Sequence, residues 1–368
     1  MQKNQCLRMD FLAAMAVGGW CVLSLLPSPA GSTPPHSNSV DNPAAPSATE
    51  SREYTLLFTG DVMLSRAVGS RMKAQNDWSL PFRLIADTLH SADLRYCNLE
   101  CPVSDRGRNL HHLYSFRADP RAIDGLKAAG FDVVSQANNH SYDWGPEALL
   151  DSLERLYAAG IQPVGAGQNI LAARYPLLVR VGDLRIAFLA YVNIDPKEAA
   201  AGVDRPGVAW LDPAQALADI CFARSLADLV IVCPHWGIEY ALQPTHDQVG
   251  LAHQMIDAGA DIIVGSHPHV VQPLEKYHHH WIAYSLGNFI FDQKDTPTHR
   301  GLMLRVMVRD KQITGVLPLA IRINSRFQAV LAPVDDRHPQ PILAEETPND
   351  GLLRTDHLAV CTGNSIVQ

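Results

Sequence analysis

Short, uninterrupted apolar runs alternate along this chain with longer stretches of helical periodicity. The runs at 229–233 and 262–264 carry no polar residue at all, the pattern of strands buried on both faces. Further strands are predicted at 54–58, 92–96, 131–134 and 162–165. Three hairpins follow the same logic. Segment 176–181 pairs with 184–192 around Gly182-Asp183, 275–279 with 281–284, and 301–308 with 313–321 around Arg309-Asp310-Lys311. Helical periodicity covers 67–90, with Trp78, Phe82, Leu84 and Ile85 as candidate core. It recurs at 121–129, 147–159, 213–227 and 246–258, where Gly130, Gly160 and Gly259 supply stop signals. Strands alternating with helices make this an α/β chain.

The termini do not share this pattern. Lys3 and Arg8 precede an apolar segment at 11–26, and Ser28 and Ala30 suit cleavage after residue 30. The run is short for a membrane span, which needs about 20 residues. A cleaved secretory signal is the first reading and an uncleaved N-terminal anchor the second. The organisation expected is a leader at 1–30, a flexible Pro/Ser/Ala/Asn-rich linker at 31–52, one domain at 53–325 and a loose tail at 326–368. This places the protein outside the cytoplasm, in the periplasm or at the cell surface.

Composition changes little. With 47% hydrophobic and 18% charged residues the chain is ordinary globular material, and a net charge of −8 without a basic run argues against nucleic acid as partner. Of seven cysteines, five lie beyond the leader, too sparse for a disulfide scaffold, though an exported chain still forms a bridge or two. Cys97 and Cys101 read as packing or a bridge, and Cys221 and Cys233 as core residues.

The chemistry sits where strands end. Asp61 follows Thr59-Gly60, and Glu100 follows Asn98-Leu99. Asn139, His140 and Asp143 follow the strand at 131–134, His235 that at 229–233, and His267 and His269 that at 262–264. Each alone has a bland alternative: a helix-capping Asp, an Asn turn, a satisfied core His. Together they repeat one grammar, and strand ends are where α/β folds build their sites. Carboxylates, an amide and imidazoles suit one or two divalent ions of Mn, Fe or Zn type rather than Ca²⁺. Two ions bridged by a carboxylate, about 3.5–4 Å apart, clamp a phosphate and activate water. Glu100 is the natural bridge, His140 a general acid oriented by Asp143, and Arg117 a holder of a non-bridging oxygen. The triple histidine 278–280 sits at a hairpin tip and reads as a solvated turn.

The ordered set Gly60-Asp61, Asn98-Leu99-Glu100, Ala137 to His140, His235 to Tyr240, Gly265 to His269 and Tyr284 to Phe289 resembles the CapA-like capsule-synthesis proteins of the calcineurin-like metallophosphoesterase superfamily. The resemblance runs from about 54 to about 308. It implies a layered αββα sandwich of mixed sheets flanked by helices, with a metal centre at the strand ends. Asp61, Glu100 and His269 then form one ion site, and Glu100, Asn139, His235 and His267 the other. Glu239 and Asn288, inside the matching motifs, join Arg117 as substrate-contacting residues. One position departs from the superfamily: Met63 stands where its first motif usually carries a histidine. The first site is therefore expected to be the weaker, and His267→Ala to cost more metal than His269→Ala. Two functions follow. One is metal-dependent hydrolysis of a phosphoester or related bond in capsule or poly-γ-glutamate handling. The other is a non-catalytic role in a membrane-bound poly-γ-glutamate synthesis and export complex.

Overall fold

The first strand, β1 (Tyr54–Val62), sets the pattern of the molecule: Leu56 and Phe58 turn to one face and Leu57 to the other, and all three are wholly buried. A strand with two buried faces needs a layer on each side. The structure is a computed structural model that describes residues 52–332. The leader and nearly all of the linker lie outside the described residues.

The remaining strands are β2 (Leu94–Leu99), β3 (Val133–Ser135), β4 (Gln162–Val164), β5 (Ala166–Gly167), β6 (Leu177–Val181), β7 (Leu184–Val192), β8 (Gly207–Val208), β9 (Leu229–His235), β10 (Ile262–Val264), β11 (Leu274–Tyr277), β12 (His280–Ala283), β13 (Asn288–Ile290), β14 (Arg300–Arg309), β15 (Gln312–Ile323) and β16 (Ala329–Leu331). The helices are α1 (Arg66–Ala74), α2 (Ala86–His90), α3 (Ala122–Ala129), α4 (Gly145–Ala158), α5 (Ile170–Arg174), α6 (Pro213–Leu226) and α7 (His246–Asp257). One mixed sheet runs β16-β15-β14-β1-β2-β3-β4, with β13 paired to the end of β1. A second runs β11-β12-β10-β9-β7-β6, and β5 and β8 form a small ribbon.

The two sheets face each other across one core. Leu56, Phe58, Tyr96 and Val133 from the first meet Ile186, Phe188, Ile231 and Val264 from the second. Phe58, Tyr96 and Phe188 lie with ring centroids 5.8–6.4 Å apart. Burying each such side chain contributes about 1.5–3 kcal/mol. The opposite faces are covered by helices: Leu57, Cys97 and Val134 pack with residues of α1 and α3, and Val230, Val232 and Ile263 with Ile220 of α6 and Met255 of α7. This is the layered αββα sandwich of mixed sheets.

Three expectations need adjustment. The helix read over 67–90 is broken into α1, a 3₁₀ turn at Leu80–Phe82 and α2. Asp77 accepts hydrogen bonds from the Ser79 amide (3.1 Å) and hydroxyl (2.7 Å), and Pro81 follows, so a local turn outcompetes the helix. Leu84, read as core, is 56% exposed. The domain also continues past residue 325: β16 pairs with β15, and Ala329 is buried. The rest of the expected tail lies outside the described residues. Cys97, Cys101 and Cys233 are buried free thiols, whereas Cys221 is half-buried and disulfide-bonded rather than a core thiol.

Candidate metal centre

The site forms where β1 and β2 of the first sheet and β9 and β10 of the second run out, with the loop after β3 closing one side. Gly60 is fixed by a close approach. A Cβ there would lie 1.9 Å from the carbonyl oxygen of Gly287, whose peptide instead accepts the Asp61 N–H at 3.0 Å. That contact sets Asn288 of β13 opposite Asp61. After β10 the chain turns through His267 and His269 at φ of 97° and 59°. Such left-handed backbone costs on the order of 1–3 kcal/mol per residue and aims both imidazoles inward.

The acid side gathers Asp61, Glu100 and His269, whose ligand atoms lie within 4.8 Å of one another. Asp61 and Glu100 are wholly buried. Between them sits Asn98, in register with Asp61. Its Nδ2 donates to Asp61 Oδ1 at 2.8 Å and Glu100 Oε2 at 3.3 Å. The other oxygens face His269, with Asp61 Oδ2 3.2 Å from Nδ1 and Glu100 Oε1 3.6 Å from Nε2. Burial pushes the Glu100 carboxyl well above the usual range, a shift that the charge of His269 partly opposes. Burial also disfavours the charged form of His269, but Glu100 and Asp61 together outweigh it and hold that group up at about 9. Glu100 Oε1 is buried without a hydrogen-bond partner. An orphaned carboxylate oxygen is costly, and beside a second carboxylate and an imidazole it is the kind of atom that a divalent cation satisfies. The donor set fits such an ion.

The imidazole side gathers His235, His267 and Asn139. His235 Nε2 lies 2.9 Å from Asn139 Oδ1, and Nδ1 lies 2.9 Å from Ser266 Oγ and 3.3 Å from Asn98 Nδ2. Burial first, then the neighbouring histidines, lowers the His235 pKa well below its usual value. The same causes bring His267 down to about 3. His267 Nδ1 is buried and without a partner. Among the described residues, Asp61, Glu100 and His269 are the group of His, Cys, Asp or Glu that meets as a cation-sized cluster.

His140 lies against the acid side. Its Nδ1 is 2.8 Å from Asp143 Oδ2, its ring stacks on Phe116 with centroids 3.9 Å apart, and its Nε2 is 3.9 Å from Glu100 Oε1. Asp143 is buried and also accepts from the Phe116 N–H at 2.7 Å, and His112 Nδ1 lies 3.1 Å from its other oxygen. The groups open into a cavity of about 200 Å³ lined among others by His140, His267, His269, Glu239, Asp195 and Tyr114.

Of the three residues expected at substrate, Glu239 is at the cavity, 3.8 Å from His269 Nε2 and 45% exposed. Asn288 is buried behind His269. Its Oδ1 lies 3.0 Å from His269 Nδ1 and its Nδ2 donates to Gln293 and the Thr298 carbonyl, so it steadies the imidazole rather than facing the cavity. Arg117 is not among the lining residues. Its guanidinium lies over the Trp144 ring at 3.5 Å and donates to the Arg106 carbonyl. Met63 is wholly buried, and its sulfur accepts from the Ser65 N–H at 3.1 Å. Sequence reasoning assigned no role to Asn98, Asn138, Ser266 or His112. Asn98, Asn138 and Ser266 stood inside matched motifs, which was the available signal.

Residues 55–293, which contain every one of these site residues, match the family described as bacterial capsule synthesis protein PGA_cap. The capsule biosynthesis protein CapA of Bacillus anthracis is 34% identical over 290 residues, covering 75% of this chain and 69% of that protein. The PGA biosynthesis protein CapA of Bacillus subtilis is 31% identical over 304 residues, covering 81% and 76%. Among solved structures, the calcineurin-like phosphoesterase YfkN from Bacillus subtilis is similar at 13% identity, covering 75% of this chain and 92% of that one, with a TM-score of 0.47, a likeness too distant to carry argument. On the family match and the two identities, the chain belongs to the bacterial capsule synthesis proteins of the PGA_cap family.

Proposed function

We propose that this protein is an exported, metal-dependent hydrolase of poly-γ-glutamate capsule biosynthesis, acting on a phosphoester or a related bond. The observation that carries the reading is the buried, unpartnered Glu100 Oε1 beside Asp61 and His269, with the His140–Asp143 pair 3.9 Å away. Asp61, Glu100 and His269 would hold the divalent ion, and of Asn139, His235 and His267 beside them, His267 keeps an unpartnered nitrogen. When bound, the ion polarises the substrate oxygen and makes water nucleophilic at neutral pH.

The chain's own residues supply the rest. Asp143 accepts from His140 Nδ1 and so directs Nε2 into the cavity. As general acid, His140 hands its Nε2 proton to the leaving oxygen or nitrogen, and Asp143 holds the ring in place for that transfer. Phe116, stacked on the ring, fixes its tilt and keeps water from that face. Glu239 at the mouth contacts the substrate's outer part. Export is supported by the leader pattern at 1–30. No helix among the described residues is long and apolar enough to cross a membrane.

The test is metal analysis followed by turnover of a generic phosphodiester with added Mn²⁺, comparing wild type with His140→Ala. Folded protein without stoichiometric metal overturns the reading. A second reading, a non-catalytic part of a synthesis and export complex, is favoured by Met63, a buried thioether where the superfamily usually places a histidine ligand. Metal-loaded protein that turns over neither phosphoesters nor γ-glutamyl substrates puts this second reading ahead.

A further inference from the structure

The hydrogen-bond network around Asn98 fixes which way each amide points, and with it where an ion can sit. It starts from two backbone groups whose roles admit no choice. The His140 N–H donates to Asn138 Oδ1 at 3.2 Å, and the Leu99 carbonyl accepts from Asn138 Nδ2 at 2.9 Å. Asn138 is therefore anchored at both ends, and its Nδ2 also reaches Asn98 at 3.1 Å. The Asn98 atom facing it must be the oxygen. That leaves the Asn98 NH₂ group turned toward Asp61 Oδ1, Glu100 Oε2 and His235 Nδ1, at 2.8, 3.3 and 3.3 Å.

The Ser266 hydroxyl, 2.9 Å from His235 Nδ1 and nearer than the Asn98 NH₂ at 3.3 Å, is the donor to that nitrogen. In the neutral ring the proton then lies on Nε2, which donates to Asn139 Oδ1 at 2.9 Å. The two hydrogens of the Asn98 amide thus serve one oxygen of each carboxylate, while His235, held by Ser266, turns its proton-bearing nitrogen toward Asn139. The oxygens left over, Asp61 Oδ2 and Glu100 Oε1, both face His269.

We infer that the centre takes one divalent ion, held by Asp61, Glu100 and His269, and that Asn98 excludes a second. This rests on the metal-centre reading above and narrows it. An amide donor stands in register with Asp61 and holds Glu100 Oε2, the oxygen with which Glu100 would bridge to an ion on the His235 side.

The test is ion counting on purified, Mn²⁺-reconstituted protein, by mass spectrometry of the metal content per chain and by electron paramagnetic resonance. Wild type should hold one ion and give the spectrum of isolated Mn²⁺. Asn98→Asp replaces the donor with an acceptor and should raise the count to two, with an exchange-coupled pair. Two ions or a coupled pair in wild type overturn the inference, as does an Asn98→Asp variant that folds and still holds one. If that variant does not fold, the wild-type count decides alone. No ion in folded wild type overturns the inference together with the proposed function, whereas two ions leave that function standing.

Discussion

The two sides of the centre hold similar numbers of donors and offer them differently. On the acid side, Asp61, Glu100 and His269 converge, and one carboxylate oxygen is left without a partner. On the imidazole side, His235 and Asn139 lie 2.9 Å apart as partners of each other, and only His267 keeps a buried unpartnered nitrogen. Each group keeps one buried atom without a partner. On the acid side that atom is a carboxylate oxygen with two further ligand groups converging on it, so convergence rather than donor count ranks the two sides.

The comparison can be broken or sharpened in four ways. The largest effect is expected at His140, which touches the acid side but belongs to neither. His140→Ala should lower turnover by about 10²–10⁴-fold while the metal content holds, as steady-state kinetics and metal analysis on the same preparation will show. Loss of both together would make His140 a ligand. Next comes the ranking of the two sides. His269→Ala should weaken ion affinity by more than roughly 100-fold, and His267→Ala by about tenfold, measured by calorimetric titration. This reverses the order expected from the sequence, and equal losses would erase the distinction between the sides.

Gly60→Ala tests what both sides share. The added methyl meets the Gly287 carbonyl at 1.9 Å, and forcing them apart should cost about 1–3 kcal/mol in thermal or denaturant unfolding. A neutral result would show that β1 and β13 can separate without harm. The smallest effect lies at the far end of β9. Hydrogen bonds from Arg185, chiefly, hold the Asp228 carboxyl well below the usual carboxylate range. A depressed folded pKa adds stability above the unfolded value of about 3.9 that is lost as pH falls toward the folded one. Asp228→Asn should flatten acid unfolding in that window and leave ion binding untouched. An unchanged acid profile would remove Asp228 from the account.

Much of the fold was legible because buried strands declare themselves: the apolar runs at 229–233 and 262–264 became β9 and β10, and the hairpin around Gly182-Asp183 became β6 and β7. The helix over 67–90 was misread because the Asp77–Ser79 turn competes locally with a periodicity that is real on either side of it. The short strands β5 and β8 carry no periodic signal, and their pairing is long-range. At the site, strand ends pointed to Asp61, Glu100, His235, His267 and His269. They could not point to Asn98 as the residue between two carboxylates, because that depends on the register of β2 against β1. Arg117 was the opposite case, a cation plausible in sequence that is spent on Trp144 and a carbonyl.

Asn98 bears finally on the order in which the protein is assembled. Two buried carboxylates so close would repel each other through folding if nothing stood between them. The amide gives each a hydrogen bond from within the chain and adds no charge of its own. The carboxylates are therefore reconciled by the chain itself, and under the proposed function ion loading would be a step separate from folding.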